Sequence, residues 1–129
     1  DGKELPEYAM LTIGNRKVCL TGVTTDTLDI YRPGSNLQIE RPAAAIARIA
    51  AAAADKEGGH DILVPMTHQT IIQDRAMAEE LPKLAPMLRG KVPVICGGHE
   101  HDIFIEDNAG SLIVKVGADA VNAGLIDVW

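Results

Sequence analysis

The sequence predicts an α/β fold: a β-sheet with a parallel core, flanked by helices and followed by antiparallel strands. Short apolar, strand-like segments alternate with two helical segments between residues 17 and 96. Strands that are separated by helices pair in parallel through right-handed crossovers, which gives a βαβαβ core. The 129 residues match the usual size of one domain, so we expect 1–129 to form one domain with no internal boundary.

The first predicted elements are a hairpin and a helix. Residues Tyr8–Ile13 and Lys17–Val23 are strand-like and flank the turn residues Gly14 and Asn15. A helix is predicted from Pro42 up to the glycine pair at 58–59, because proline is tolerated in the first turn of a helix and glycine ends one. The buried stripe of this helix is expected at Ile46, Ile49, Ala50 and Ala53.

The later elements continue the alternation and end in antiparallel strands. They are a strand over 61–67, a helix over 71–81 that ends near Pro82, a strand over 92–96, a hairpin of 103–105 with 112–116, and a last strand over 125–129. Pro65 cannot donate a hydrogen bond, so one side of its strand is expected to be unpaired or irregular at that point.

Composition excludes several classes of function. Twelve basic and 18 acidic residues give a net charge of −6, which argues against binding a nucleic-acid polymer. No apolar run approaches the roughly 18 residues of a membrane span, and no signal peptide is recognisable, so we expect a soluble protein of unknown compartment. The two cysteines do not make a disulfide framework.

Three of the four histidines follow predicted strands. His68 comes directly after the strand over 61–67, while His99 and His101 follow the strand over 92–96. Ligands of parallel sheets lie beyond the carboxyl ends of the strands, where these imidazoles should meet. Imidazole is the commonest side-chain metal ligand, so the pattern predicts a metal site. His60 falls at the opposite edge and is expected to be a loop histidine.

Nearby residues are candidates for support rather than for ligation. In an extended segment His99 and His101 would point the same way and Glu100 would point away from them. Gly98 allows a sharp turn off the strand end. Asp102 is a candidate either to orient an imidazole or to be solvated. Asp74 is expected on a solvated helix face.

These residues resemble the calcineurin-like metallophosphoesterases, and most closely the 5'-nucleotidase branch. The similarity lies in Val64-Pro65-Met66-Thr67-His68, in Asp74 with Ala76-Met77-Ala78-Glu79, and in Gly98-His99-Glu100-His101. The segment Gly22-Val23-Thr24-Thr25 also resembles a motif of that branch.

The resemblance implies a two-sheet sandwich flanked by helices. It also implies the hydrolysis of small phosphate esters, a class that includes nucleotides. It implies two divalent metal ions, of manganese, zinc, iron or cobalt. His68 and His99 resemble ligands of the second ion, and His101 resembles a ligand of the first.

The chain departs from the family in lacking the motifs of its first half. Asp-x-His, Gly-Asp-x-x-Asp and Gly-Asn-His-[Asp/Glu] are not found, so no catalytic residue is assigned here. We therefore expect the C-terminal half of a metallophosphoesterase domain, inactive alone, with an N-terminal half or a domain-swapped copy as partner. Two alternatives stay open: an enzyme with one zinc on three histidines, and a non-catalytic scaffold of this fold.

Overall fold

The computed structural model describes residues 5–34 and 36–128. Within these residues the chain forms six strands and two α-helices: β1 (Tyr8–Ile13), β2 (Arg16–Thr24), α1 (Pro42–Glu57), β3 (Ile62–His68), α2 (Ile71–Leu84), β4 (Val94–Gly97), β5 (Ile103–Asn108) and β6 (Ser111–Val116). Short 3-10 turns lie at Leu28–Ile30 and Pro86–Leu88.

The six strands form one mixed sheet in the order β1-β2-β3-β4-β6-β5. The central strands β2, β3, β4 and β6 run parallel, and the edge strands β1 and β5 are antiparallel to their neighbours. Strands β2, β3 and β4 are joined by α1 and α2, as expected for βαβαβ. The predicted α/β class is confirmed, as are both hairpins.

Pro65 produces the predicted irregularity between β3 and β4. Pairing of β3 with β2 runs without a break from Val18 with Ile62 to Thr24 with His68. On the other side the ladder to β4 begins only at Met66. Before it, the Leu63 amide donates to the Lys91 carbonyl 2.7 Å away, and Pro65, two residues further along, has no amide to continue the series.

Both helices pack on one face of the sheet and form the core with it. The buried residues of α1 include the whole predicted stripe, and the helix starts at Pro42 and ends at Gly58, whose φ of 70° suits glycine. Opposite them lie the inward side chains of the central strands. The cluster includes Cys19, Ile46, Ala50, Ala53, Leu63, Met77, Leu81, Ile95 and Ile113.

One predicted helix end and one predicted strand are wrong. Helix α2 runs past Pro82 to Leu84, because Pro82 removes only one backbone donor while Leu81 and Ala85 on either side are anchored in the core. The strand expected over 125–129 is not formed: residues 125–128 are irregular, and Trp129 lies outside the described residues.

The second face of the sheet is also apolar. Side chains alternate along a strand, so Val64, Met66 and Val114 point away from the helices. The irregular segment 122–127 lies against β5 and β6 on this face. Ile103 and Ile105 nevertheless remain 58% and 67% exposed. In the described part of the chain, neither helix is both long and apolar enough to span a bilayer.

Candidate functional site

The carboxyl ends of β3 and β4 bring the two histidine segments together. The parallel ladder pairs Thr67 with Gly97, and the Gly98 amide donates to the Thr67 carbonyl at 2.9 Å. His68 and Gly98 are therefore neighbours, and a β-carbon on Gly98 would lie 3.4 Å from His68 Nδ1. The topology thus places the beginning of the Gly-His-Glu-His segment beside His68.

The rings of His68 and His99 are in contact. Their centroids are 5.3 Å apart and their planes are nearly perpendicular, at 88°. A metal–nitrogen bond of about 2.0 Å puts a ring centroid about 3.2 Å from the ion, so two imidazoles on one tetrahedral ion have centroids about 5.2 Å apart. His68 is exposed and His99 is half-buried. The ring spacing matches that of two imidazoles on one ion and also that of an ordinary edge-to-face contact between two rings.

His101 follows His99 by two residues but does not form a group of three ligands with this pair. It is exposed and lines a groove with Asp102, Ile103 and the turn around Gly117. Among residues 5–34 and 36–128, no three His, Cys, Asp or Glu side chains converge on one point as the ligands of an ion would. The structure thus brings His68 and His99 together and leaves His101 and Asp102 exposed beside them.

The Gly-His-Glu-His segment is not extended, contrary to our expectation. His99 has a φ of 97° and His101 a φ of 63°, both in the region that favours glycine. Gly98, predicted to supply the turn, has no positive φ. The turn is therefore made by the histidines themselves. Residues held in such conformations cost about 1–3 kcal/mol and cluster at functional sites.

A buried lysine lies beneath this edge, and the sequence analysis missed it. Lys115 on β6 is only 2% exposed. Its Nζ donates to the carbonyls of Gln69 at 2.7 Å and Gly98 at 2.8 Å. The same atom lies 2.5 Å from Glu100 Oε2 and 2.9 Å from Asp74 Oδ2. One ammonium thus contacts four oxygens from three segments.

Asp74 is a fully buried partner of this lysine, so its expected place on a solvated helix face is wrong. Its exposure is 0%, and its Oδ1 accepts a hydrogen bond from Gln69 Nε2 at 2.9 Å. A buried carboxylate needs such compensation. Asp74 lies on the buried face of α2, and this face places its carboxylate beside Lys115.

Glu100 ties the same segment to helix α2. One carboxylate oxygen accepts from the backbone amide of Ile71 in the first turn of α2, and the other binds Lys115. Burial opposes ionisation of Glu100, but the hydrogen bonds from Lys115 and Ile71 outweigh it, so the pKa of Glu100 is lowered. Glu100 thus joins the segment that carries His99 and His101 to helix α2 and to Lys115.

A signal for Lys115 was present in the sequence. The stretch 112–116 is apolar except for Lys115, which lies two residues after Ile113 and therefore shares its inward face. A charged residue at an inward position of a strand must be paired with an opposite charge. The sequence offers Asp74 and Glu100 among the carboxylates that could pair with it. Pairing them with Lys115 required the three-dimensional fold.

His60 lies in the loop before β3, at the opposite edge, as predicted. It is nevertheless only 5% exposed, and neither ring nitrogen has a hydrogen-bond partner in the described residues. Burial, helped by the nearby charge of Lys91 and opposed by Asp61, lowers the pKa of His60. His60 is therefore a buried neutral side chain outside the candidate site.

Solved structures share this fold. The sulfate thiohydrolase SoxB of Thermus thermophilus matches with a TM-score of 0.67 and 18% identity, over 86% of this chain and 20% of its own. A Staphylococcus aureus protein assigned as a 5'-nucleotidase matches at 0.62 and 15%, over 86% and 24%. A phosphatase of Mycoplasma pneumoniae matches at 0.54 and 16%, over 86% and 35%.

These likenesses define the class of fold. The chain has the fold of one part of the SoxB, 5'-nucleotidase and phosphatase structures, and the fold expected from the resemblance is thereby confirmed. It spans about a fifth to a third of the length of these structures. No protein-family profile and no curated protein sequence matches the chain.

Proposed function

We propose that this chain is one part of a metal-dependent phosphoesterase, in which His68, His99 and His101 are metal ligands. The observation that carries the proposal is the contact between the His68 and His99 rings at the carboxyl edge of the sheet. The position supports it, since ligands of such sheets lie at this edge. The positive φ values of His99 and His101 support it further.

In this proposal His68 and His99 hold one divalent ion together and His101 contributes to a second. The lack of one three-histidine centre in the described residues favours this arrangement over a single zinc. Two such ions, when bound, activate a water and stabilise the charge on the phosphoryl oxygens. Because imidazole is a neutral ligand, the site keeps a positive charge that suits an anionic phosphate ester.

The remaining ligands must come from another part of the domain. Three imidazoles are too few for two ions, and within the described residues no carboxylate lies between them. The apolar second face of the sheet, with Ile103 and Ile105 exposed, is suited to a further layer of structure. We propose that the N-terminal half of the same domain covers it, with a swapped second copy as the other outcome.

The test is metal content and hydrolysis in the full-length protein. Alanine at His68, His99 or His101 should lower Mn²⁺-dependent hydrolysis of p-nitrophenyl phosphate at least about 100-fold, and His68→Ala and His99→Ala should lose the same ion. The matched control is His60→Leu, which removes a buried histidine from the opposite edge and should keep both properties. Unchanged metal content in the edge variants contradicts the proposal.

Other results would select the alternatives. One tightly bound ion that requires all three histidines identifies a single-metal enzyme instead. A wild-type protein that binds no ion and hydrolyses no phosphate ester, while retaining the fold, identifies a scaffold.

A further inference from the structure

Lys115 is the one lysine in the described residues whose side chain is both buried and surrounded by oxygen atoms from separate elements. The ammonium contacts Gln69, Gly98, Glu100 and Asp74. Burying a lysine is unfavourable unless its charge is compensated, and here two carboxylates and two carbonyls supply the compensation. The partners of Lys115 come from three separate parts of the chain: the connection between β3 and α2, helix α2 itself, and the segment after β4. The ammonium therefore joins several elements and not just one pair of residues.

The contacts of Lys115 fall directly beside the candidate ligands. Gln69 follows His68 in the chain, and Gly98 precedes His99. Both residues give their backbone carbonyls to the same Nζ, at 2.7 and 2.8 Å. The ladder and the Gly98–Thr67 hydrogen bond already join the two strand ends, and these two bonds add a second connection between the segments from which the His68 and His99 rings project.

The side chain of Lys115 is packed closely against the backbone of Gly97. A β-carbon on Gly97 would lie 2.8 Å from Lys115 Cε and 3.0 Å from Lys115 Cγ. The lysine stem therefore passes directly against the Gly97 backbone, which it can do only because that residue has no side chain. Glu100 then holds the far side of the ammonium and is itself fixed by the amide of Ile71.

We propose that Lys115 is a positioning residue that sets the distance between His68 and His99 and thereby prepares them to share an ion. The part of this proposal that concerns a shared ion depends on the function proposed above, whereas the part that concerns the positions of the two rings does not. No proton or electron is transferred in this role. Lys115 acts through two backbone carbonyls, and Asp74 and Glu100 keep its charge in place.

The test is to replace Lys115 and to follow the two rings directly. In the metal-free full chain, nuclear Overhauser contacts between the His68 and His99 rings report their proximity, and Co²⁺ absorption reports a shared ion. We expect Lys115→Met to lose the ring contact and to bind Co²⁺ about 10–100-fold more weakly, the range observed when residues supporting metal ligands are changed.

Two controls separate positioning from general stability. Lys91→Met removes a lysine of the same length whose Nζ also donates to a backbone carbonyl, that of His60 at 2.9 Å, at the opposite edge. Ile49→Ala weakens the core beneath α1 without touching the site. Both variants, measured where they are folded, should keep the ring contact and the Co²⁺ affinity of the wild type.

A folding defect of Lys115→Met is covered by a second variant. Asp74→Asn with Lys115→Met removes both charges of the fully buried pair and leaves Glu100, which is 20% exposed and still accepts from the Ile71 amide, as the one carboxylate of the cluster. The double variant should fold and still lack the ring contact. A folded single or double variant that retains the contact overturns the proposal.

The two proposals fail in different ways. If the wild type shows the ring contact and binds no Co²⁺, the metal function is contradicted and the ring contact alone decides the role of Lys115. If the wild type binds Co²⁺ and Lys115→Met binds it equally well, the metal function stands and the positioning role is contradicted.

Discussion

Lys115 and Asp74 form an ion pair of 2.9 Å with side chains that are 2% and 0% exposed. The pair lies beneath the edge of the sheet that carries His68 and His99. A charged pair at this depth is not a general source of stability, because the cost of removing two charges from water offsets their attraction. The pair joins helix α2 to strand β6, because Asp74 and Lys115 belong to these two elements.

Asp74→Ala should lower the free energy of unfolding by about 3 kcal/mol, because it leaves the Lys115 charge buried with Glu100 as its one remaining carboxylate. Urea unfolding measures this. Arg75→Gln, the next residue along α2, breaks the exposed pair with Glu106 and should lower the free energy of unfolding far less, because solvent screens that pair. Equal effects of the two variants would show that burial of the pair is unimportant.

Gly97→Ala should destabilise the protein by about 1–3 kcal/mol, since the new methyl group would overlap the buried stem of Lys115. It should also weaken the contact between the His68 and His99 rings seen by NMR. Gly22→Ala on β2 is the matched control, because a β-carbon there has its nearest neighbour 3.9 Å away. A Gly97→Ala protein as stable as Gly22→Ala would contradict the tight packing.

Glu100→Ala should cost about 1.5–3 kcal/mol, the range for hydrogen bonds to a charged group. The loss should be local: hydrogen exchange at the Ile71 amide should accelerate more than at the centre of α2. Glu79→Ala, on the exposed face of the same helix, should change stability by less than about 0.5 kcal/mol. Uniform acceleration along α2 would argue against Glu100 as its anchor.

His60 should make stability depend on pH. Its folded pKa is lowered by burial, so below the unfolded value of about 6.5 the unfolded chain binds more protons than the folded one. The contribution of neutral His60 to the free energy of unfolding is therefore complete above about pH 6.5 and is lost as the pH falls towards the folded pKa. Urea unfolding at several pH values should show that His60→Leu reduces the slope. An equal slope in His60→Leu and in the wild type would contradict the assignment of this pH dependence to the burial of His60.

The sequence allowed the sheet and the position of the histidines to be predicted. Apolar periodicity and turn residues are local signals, so the order of elements and the parallel core followed from them. The meeting of His68 and His99 followed from topology, since parallel strands end at the same edge. Pro65 even located the gap in the ladder.

The parts that could not be predicted depend on contacts between distant segments. Lys115 binds oxygens 15 to 46 residues away in the chain, and no local pattern reports such a cluster. The extension of α2 beyond Pro82 reflects packing of Leu81 and Ala85, which outweighs a local helix breaker. The non-extended form of the segment with His99 likewise reflects bonds made by Glu100 and Gly98 to other elements.

The left-handed backbone at His99 and His101 has a consequence for sequence design. Glycine would fit both positions without strain, so His99→Gly and His101→Gly should each raise the stability of the fold while removing an imidazole. A design procedure that optimises this chain for thermal stability alone would therefore replace both His99 and His101.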